Sequence, residues 1–423
     1  MTSPADLPPV FPLPEARAEL GSRALWPRLQ WRIHANFASV SPASEPVLAF
    51  AGAQMRDMAE RGAAAFVSWI GQRERLRGRL AALCGCDPAD LGLLGNTTAG
   101  VTAIALSQPW PTGATVLGFA GEFPANVTPW QQAAALFNLQ LELLPLPDPA
   151  GPDPAADLLT RVEDRLRGLQ HGPNPVFVVA ISAVQFQTGW QAPVGQLAAL
   201  CHRYGARLSV DAVQALGLVP LDLPALGIDF LACGSHKWLM GPEGGGLLYI
   251  APQHLQDWQP RTAGWLSHQD PVEFLFRGAG HLRYDRPIRQ RADQVEGGNV
   301  AGPSLAGLEM AVALIQQLPA QAIWDHVQAW HDAVEPGLVA MGFASLRARD
   351  NGGRSGILAL RPPVDVDPVV LQRLVVRRGV LCSLPDGLLR LAPHWCSPLA
   401  ECAEVVAVIQ EAVAEARGAA ATM

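Results

Sequence analysis

Between residues 115 and 213 the chain alternates short apolar runs with stretches whose apolar positions recur every three or four residues. TVLGFA (115–120), LQLELLPL (139–146), PVFVVAISAV (175–184) and RLSVDAV (207–213) read as strands. Between them, VTPWQQAAALFN (127–138), DLLTRVEDRLRGL (157–169) and VGQLAALCHRYG (194–205) read as helices, the last closed by a glycine. The strand-like runs are apolar almost throughout instead of alternating apolar with polar. Such strands are covered on both faces, which predicts a mostly parallel, doubly wound sheet flanked by helices. FLACGS (230–235) and the run 247–250 continue the pattern, and PLPDPAGPDPAAD (145–157) reads as a surface connection.

From about residue 319 the texture changes. PAQAIWDHVQAWHDAVEPGLVAM (319–341) is a long helical stretch. Strand-like SGILALRP (355–362) and LLRLAPH (388–394) follow, with helices expected at 366–378 and 398–417. The expected organisation is an α/β chain in three parts. Residues 1–40 form an N-terminal segment packing with the small domain, 41–318 a large domain, and 319–423 a smaller α+β domain.

Composition narrows the function classes. Of 423 residues 49% are hydrophobic and 16% charged, as in a well-packed globular chain. A net charge of −7 without a basic cluster argues against nucleic acid and against an electrostatically held membrane surface. No apolar run approaches the ~18 residues that span a bilayer. MTSPADLPPVFPLPEARAEL lacks the basic end and apolar core of a secretory signal, so the expectation is cytoplasmic. The seven cysteines include no CxxC pair and no histidine at zinc-ligand spacing, so no metal is expected and most should be buried free thiols.

In an open parallel sheet, ligands bind beyond the carboxyl ends of the strands. Four features lie there. GNTTAG (95–100) opens an apolar helix, and amides and hydroxyls at a helix start suit a phosphate, although an ordinary cap has the same look. GEFPANVTPW (121–130) presents Phe123, either a core ring or a face for a flat cofactor. VDAVQALG (210–217) ends a strand in Asp211, a helix cap or a partner for a protonated ring nitrogen, with Gln214 three residues on. GSHKWLMGPEGGG (234–246) sets Lys237, in a chain where lysine is scarce, between small residues and a glycine turn. That lysine either faces water or is desolvated for covalent chemistry. Taken together, in this order, the four describe a pocket for pyridoxal phosphate, with Lys237 as Schiff-base lysine.

Here the sequence resembles the class V aminotransferase family, on its pyridoxal-phosphate fold type I scaffold, from about residue 30 to 417. HANFASVSPAS (34–44) is similar to the family's substrate-side segment, VEGGNVAGPSLAGLEMA (295–311) to the segment that reaches a neighbour's phosphate, and LLRLAPHW (388–395) to its C-terminal arginine motif. The resemblance implies that Lys237 holds the cofactor and shuttles protons while Asp211 pairs with the pyridine nitrogen. It further implies that Gln214 contacts the phenolic oxygen, Phe123 stacks on the ring, and Thr97, Thr98, Ser235 and His236 hold the phosphate. Arg390 is expected to grip the substrate carboxylate. A homodimer with shared active sites follows, with Asn299 at the cross-subunit phosphate contact. The chain departs from many members at Phe123, often histidine, at Asn299, often threonine, and at Phe186, where desulfurases carry asparagine.

Fold and cofactor leave the reaction open. The first expectation is a transaminase or related amino-acid-transforming enzyme. The alternative is a cysteine desulfurase or C–S lyase in which Cys382, in RRGVLCSLP (377–385), accepts sulfur, although an ordinary strand cysteine has the same look. A non-catalytic binding protein is disfavoured because Lys237, Asp211 and Arg390 are all present.

Overall fold

The computed structural model describes residues 11–420; residues 1–10, part of the segment expected to pack with the small domain, lie outside them. Its strands are β1 Ile33–His34, β2 Leu91–Leu94, β3 Thr115–Ala120, β4 Gln140–Pro145, β5 Val176–Ser182 and β6 Arg207–Asp211. They continue as β7 Phe230–Gly234, β8 Gly246–Ile250, β9 Ala344–Ser345, β10 Leu358–Arg361, β11 Val380–Leu381 and β12 Leu389–Leu391.

The large sheet has seven strands in the order β2-β8-β7-β6-β5-β3-β4. β8 runs antiparallel to both of its neighbours and the other pairings are parallel. The apolar runs explain this layer. Along β5, Val179 and Ile181 enter one hydrophobic cluster and Val178 and Ala180 another, so successive side chains are buried on opposite faces. On one face lie Val101 and Ile104 of helix Thr97–Ser107 and Trp130 of helix Thr128–Phe137. The other receives Leu158 and Val162 of helix Pro154–Leu169 and Leu197 and Leu200 of helix Val194–Arg203.

The C-terminal part builds its own core. An antiparallel sheet, β12-β10-β9, packs with helices Ala320–Ala340, Pro368–Arg377 and Cys402–Ala420 around Trp330, Leu360, Leu371 and Ile409. The N-terminal segment joins the two cores. β1 pairs in parallel with β11, Ile33 and Ala35 enter the C-terminal cluster, and Phe37 and Ala38 enter the large one. Among the described residues no helix is long and apolar enough to cross a membrane.

Candidate active site

The carboxyl ends of β3, β6 and β7 and the chain from β12 converge on a cavity of about 470 Å³. Lys237 enters it from the turn after β7. Its neighbour Trp238 is fully buried, donates its indole N–H to Gln214 Oε1 (2.9 Å), and its carbonyl lies 2.9 Å from His394 Nε2. The amide of Trp395 donates to His394 Nδ1 (2.7 Å), which leaves Nε2 as the protonated nitrogen facing Trp238. Burial keeps this imidazole neutral by lowering its pKa to about 4. Two glycines make room for the arrangement. A Cβ on Gly217, at φ 108°, would lie 2.3 Å from the Trp238 carbonyl oxygen, and one on Gly356 would lie 2.3 Å from the Trp238 ring.

Asp211 ends β6 with 2% of its surface exposed. One of its oxygens accepts the Val213 amide (2.9 Å), and the other has no hydrogen-bond partner among the described residues. Burial raises its pKa to about 6, opposed by the Val213 amide and by Lys237. Burial lowers Lys237 to about 8; Arg390 pushes the same way, while Asp211 opposes. The lysine thus sheds its proton close to neutrality, where an exposed one would keep it. Its Nζ stands 5.5 Å from the centre of the Phe123 ring, which meets Phe186 edge-on at 5.2 Å.

At one end of the cavity, helix Thr97–Ser107 begins with Asn96 as its cap, Oδ1 accepting the Ala99 amide (2.8 Å). Leading amides of a helix have no carbonyl within it to bond, so those of Thr97 and Thr98 remain for an anion. The Thr97 hydroxyl accepts the Gly234 amide (2.9 Å), tying the helix to the end of β7 while its own proton stays available. At the other end Arg390, 5% exposed, donates to Ser383 Oγ (2.9 Å), the Phe186 carbonyl (2.6 Å) and Ser39 Oγ (2.9 Å). All three partners are neutral, and burial lowers the guanidinium to about 10. A buried guanidinium that meets no acid among the described residues is ready for a carboxylate from outside.

The structure therefore brings together Thr97, Thr98, Phe123, Asp211, Gln214, His236, Lys237 and Arg390. Ser235 does not line the cavity. It is fully buried, its hydroxyl donates to the Pro242 carbonyl and its amide to Gly245, so the expected phosphate contact has no donor left. Asn299 is also elsewhere, exposed beside a separate apolar groove. Cys382 is buried off the cavity among apolar neighbours, and burial raises its thiol to about 12. Sequence reasoning missed Trp238, His394, Ser39 and Ser383. Each lies within or beside a quoted motif, but no spacing rule shows which way its side chain turns.

These groups fit pyridoxal phosphate: helix-start donors for the phosphate, an unshared Asp211 oxygen for the ring nitrogen, an aromatic face, and one amine. Comparison with known proteins agrees. The family model for class V aminotransferases matches residues 54–380. The chain is 31% identical over 329 residues to isopenicillin N epimerase of Streptomyces clavuligerus, covering 75% of this chain and 79% of that one. It is 24% identical over 377 residues to the uncharacterized aminotransferase YcbU of Bacillus subtilis, covering 88% and 92%. A solved complex of the cystine C–S lyase C-DES with cysteine persulfide shares the fold at a TM-score of 0.78 and 23% identity, covering 89% and 96%. The chain belongs to the class V aminotransferase family of pyridoxal-phosphate enzymes.

Proposed function

We propose that the protein transforms a free α-amino acid, as a transaminase or a closely related enzyme, with Lys237 as its single mobile acid–base group. The observation that carries this is that Lys237 is the only lysine among 423 residues, and it lies in the cavity with Asp211 and Arg390. Bound pyridoxal phosphate supplies an electron sink for the bond broken at the substrate's α-carbon. Arg390 binds the substrate carboxylate and so fixes which way that carbon faces. Lys237 Nζ then takes the α-proton from one side and returns it on the same side. Asp211 keeps a proton on the ring nitrogen, and Phe123 and Phe186 wall off water.

One base on one face suits a proton moved between neighbouring atoms. Inversion at the α-carbon calls for a second group on the opposite face, and among the described residues Asp211, His236 and Arg390 are the only other charged or titratable side chains lining the cavity. C–S cleavage is the second reading. It would run without Cys382, whose buried thiol has neither access nor a cation to make it a thiolate. The placement of Asn299 on a separate apolar groove, away from its own cavity, supports a homodimer in which each copy helps complete the other's site.

Borohydride reduction of the protein with pyridoxal phosphate is expected to fix the cofactor's mass on the peptide carrying Lys237. The reduced protein is then compared with fresh protein on amino acids, reading keto acid, sulfide, alanine and inversion separately. Keto acid formation, unchanged in Cys382→Ala, is the expected result. Cysteine-dependent sulfide lost in Cys382→Ala would replace this reading with sulfur transfer.

A further inference from the structure

Immediately before Phe123 stands a buried carboxyl that none of the roles above uses. Glu122 is 8% exposed, in the turn that leaves β3. One of its oxygens accepts the Ser182 amide (2.8 Å); the other accepts the Ser182 hydroxyl in a very short contact and the Asn126 side-chain amide at 3.4 Å. Ser182 is the last residue of β5 and lies opposite Asp211 in the β5–β6 register. Neighbouring strands are about 4.8 Å apart, and registered side chains of a parallel pair share a face. The clasp therefore holds a second carboxyl at the residue registered with Asp211, the group proposed to meet the ring nitrogen. The same turn is held again where Gln185 Nε2 donates to the Gly121 carbonyl (2.8 Å). Phe123 thus leaves a turn anchored at two successive residues, Glu122 to the end of β5 and Gly121 to Gln185 in the segment beyond it.

We propose that Glu122 is a positioning residue for pyridoxal phosphate: it clasps β5 to the turn that presents Phe123, and its charge biases the ionisation of Asp211. The charged group facing Glu122 is Asp211, while Ser182 and Asn126 are neutral donors. Its own titration fits the role. Burial, helped by Asp211, raises Glu122 to about 7, against the pull of Ser182 and Asn126. The Asp211 charge acts on Glu122, and coupling between two charges is reciprocal. When Glu122 is ionised, a proton is held more firmly between Asp211 and the ring nitrogen.

The test uses the full-length apo-protein with pyridoxal phosphate as probe. Carboxyl infrared difference spectra of the apo-protein follow Glu122 directly, and cofactor affinity is measured across pH. Expected is a carboxyl titrating near 7 in the parent, absent in Glu122→Gln. Glu122→Gln should move the affinity profile toward acid by about one pH unit, since Asp211 loses a like charge. Ser182→Ala removes a hydrogen bond to the charged form and should move the Glu122 step to higher pH, while Glu122→Asp should restore much of the parent profile. Unmoved midpoints with a uniform loss of affinity would overturn the proposal, leaving only a structural clasp. If Glu122→Gln fails to fold, an unmoved Glu122 step in Ser182→Ala overturns it equally.

Discussion

A lysine surrounded by apolar chain carries its charge at a cost, and the pH at which it loses that charge decides when it can react. Burial is the largest influence on Lys237, with Asp211 restoring part of the proton affinity. Capture of pyridoxal phosphate needs the free amine. Its rate in apo-protein should therefore rise with pH through about 8, not near the ordinary value of 10.5. Replacing Asp211 by Asn removes the opposing attraction, so the midpoint should fall further even as the complex, once formed, is held less well. Stopped-flow capture rates across pH check both, and a midpoint near the ordinary lysine value would refute the assignment. The sign for stability follows from the same shift. The unfolded chain holds the Lys237 proton more tightly, so folding is penalised below about 8, and the penalty fades as pH rises toward 10.5. Lys237 and Asp211 stand out in the sequence because each is a costly residue in an apolar setting, whereas Arg390 is expected only from the resemblance of LLRLAPHW to a family motif; all three line one cavity. Ser235 lies off the cavity because a hydroxyl costs little to turn either way, and here a backbone carbonyl in its own glycine turn takes it.

Elements were legible where they carry a period. The strands of the large sheet and the helices between residues 128 and 203 show one, and they fall within a few residues of their expected bounds. Helix Phe66–Cys84 went unread because its buried face includes Gln72 and Arg77, the latter held by Glu296 (2.6 Å) and the Leu91 carbonyl (2.8 Å). Helix Gly302–Ile315 is buried continuously from Leu305 to Ile315, so no apolar stripe distinguishes it. What holds the reactive turn is likewise invisible to periodicity. Trp238 is gripped by Gln214, His394 and two glycines from three distant segments. Gly356→Ala should therefore overpack the Trp238 ring, destabilising the fold by about 1–3 kcal/mol and weakening cofactor binding through the shifted Lys237. Gly78→Ala is the control: a helix-interior glycine whose added Cβ meets nothing within 4 Å should gain about 0.5–1 kcal/mol. Thermal unfolding and cofactor titration of the pair check this, and equal behaviour of the two variants would dismiss the clamp.

At the scale of the molecule, a large apolar surface asks for a cover. A groove of about 940 Å³ lies against helix Glu45–Arg61 and the segment from Trp265 to Pro303. Met58, Leu275 and Phe276 on its walls are 52%, 52% and 62% exposed, an arrangement uncommon on a chain that stays alone. Asn299, the residue expected to reach a neighbour's phosphate, stands on this groove and not in its own cavity. A second copy seated here would bury the apolar wall and carry Asn299 toward the other site. Phe276→Glu places a charge where the contact would be dry, a change that commonly costs several kcal/mol when the charge has no partner. The variant should sediment as a monomer with its fold intact by circular dichroism. It should also bind pyridoxal phosphate more weakly than the parent, because each site would lose the neighbour's contribution. Parent protein that sediments as a monomer while binding cofactor fully would show that one chain completes the site alone, and the groove would then need another occupant.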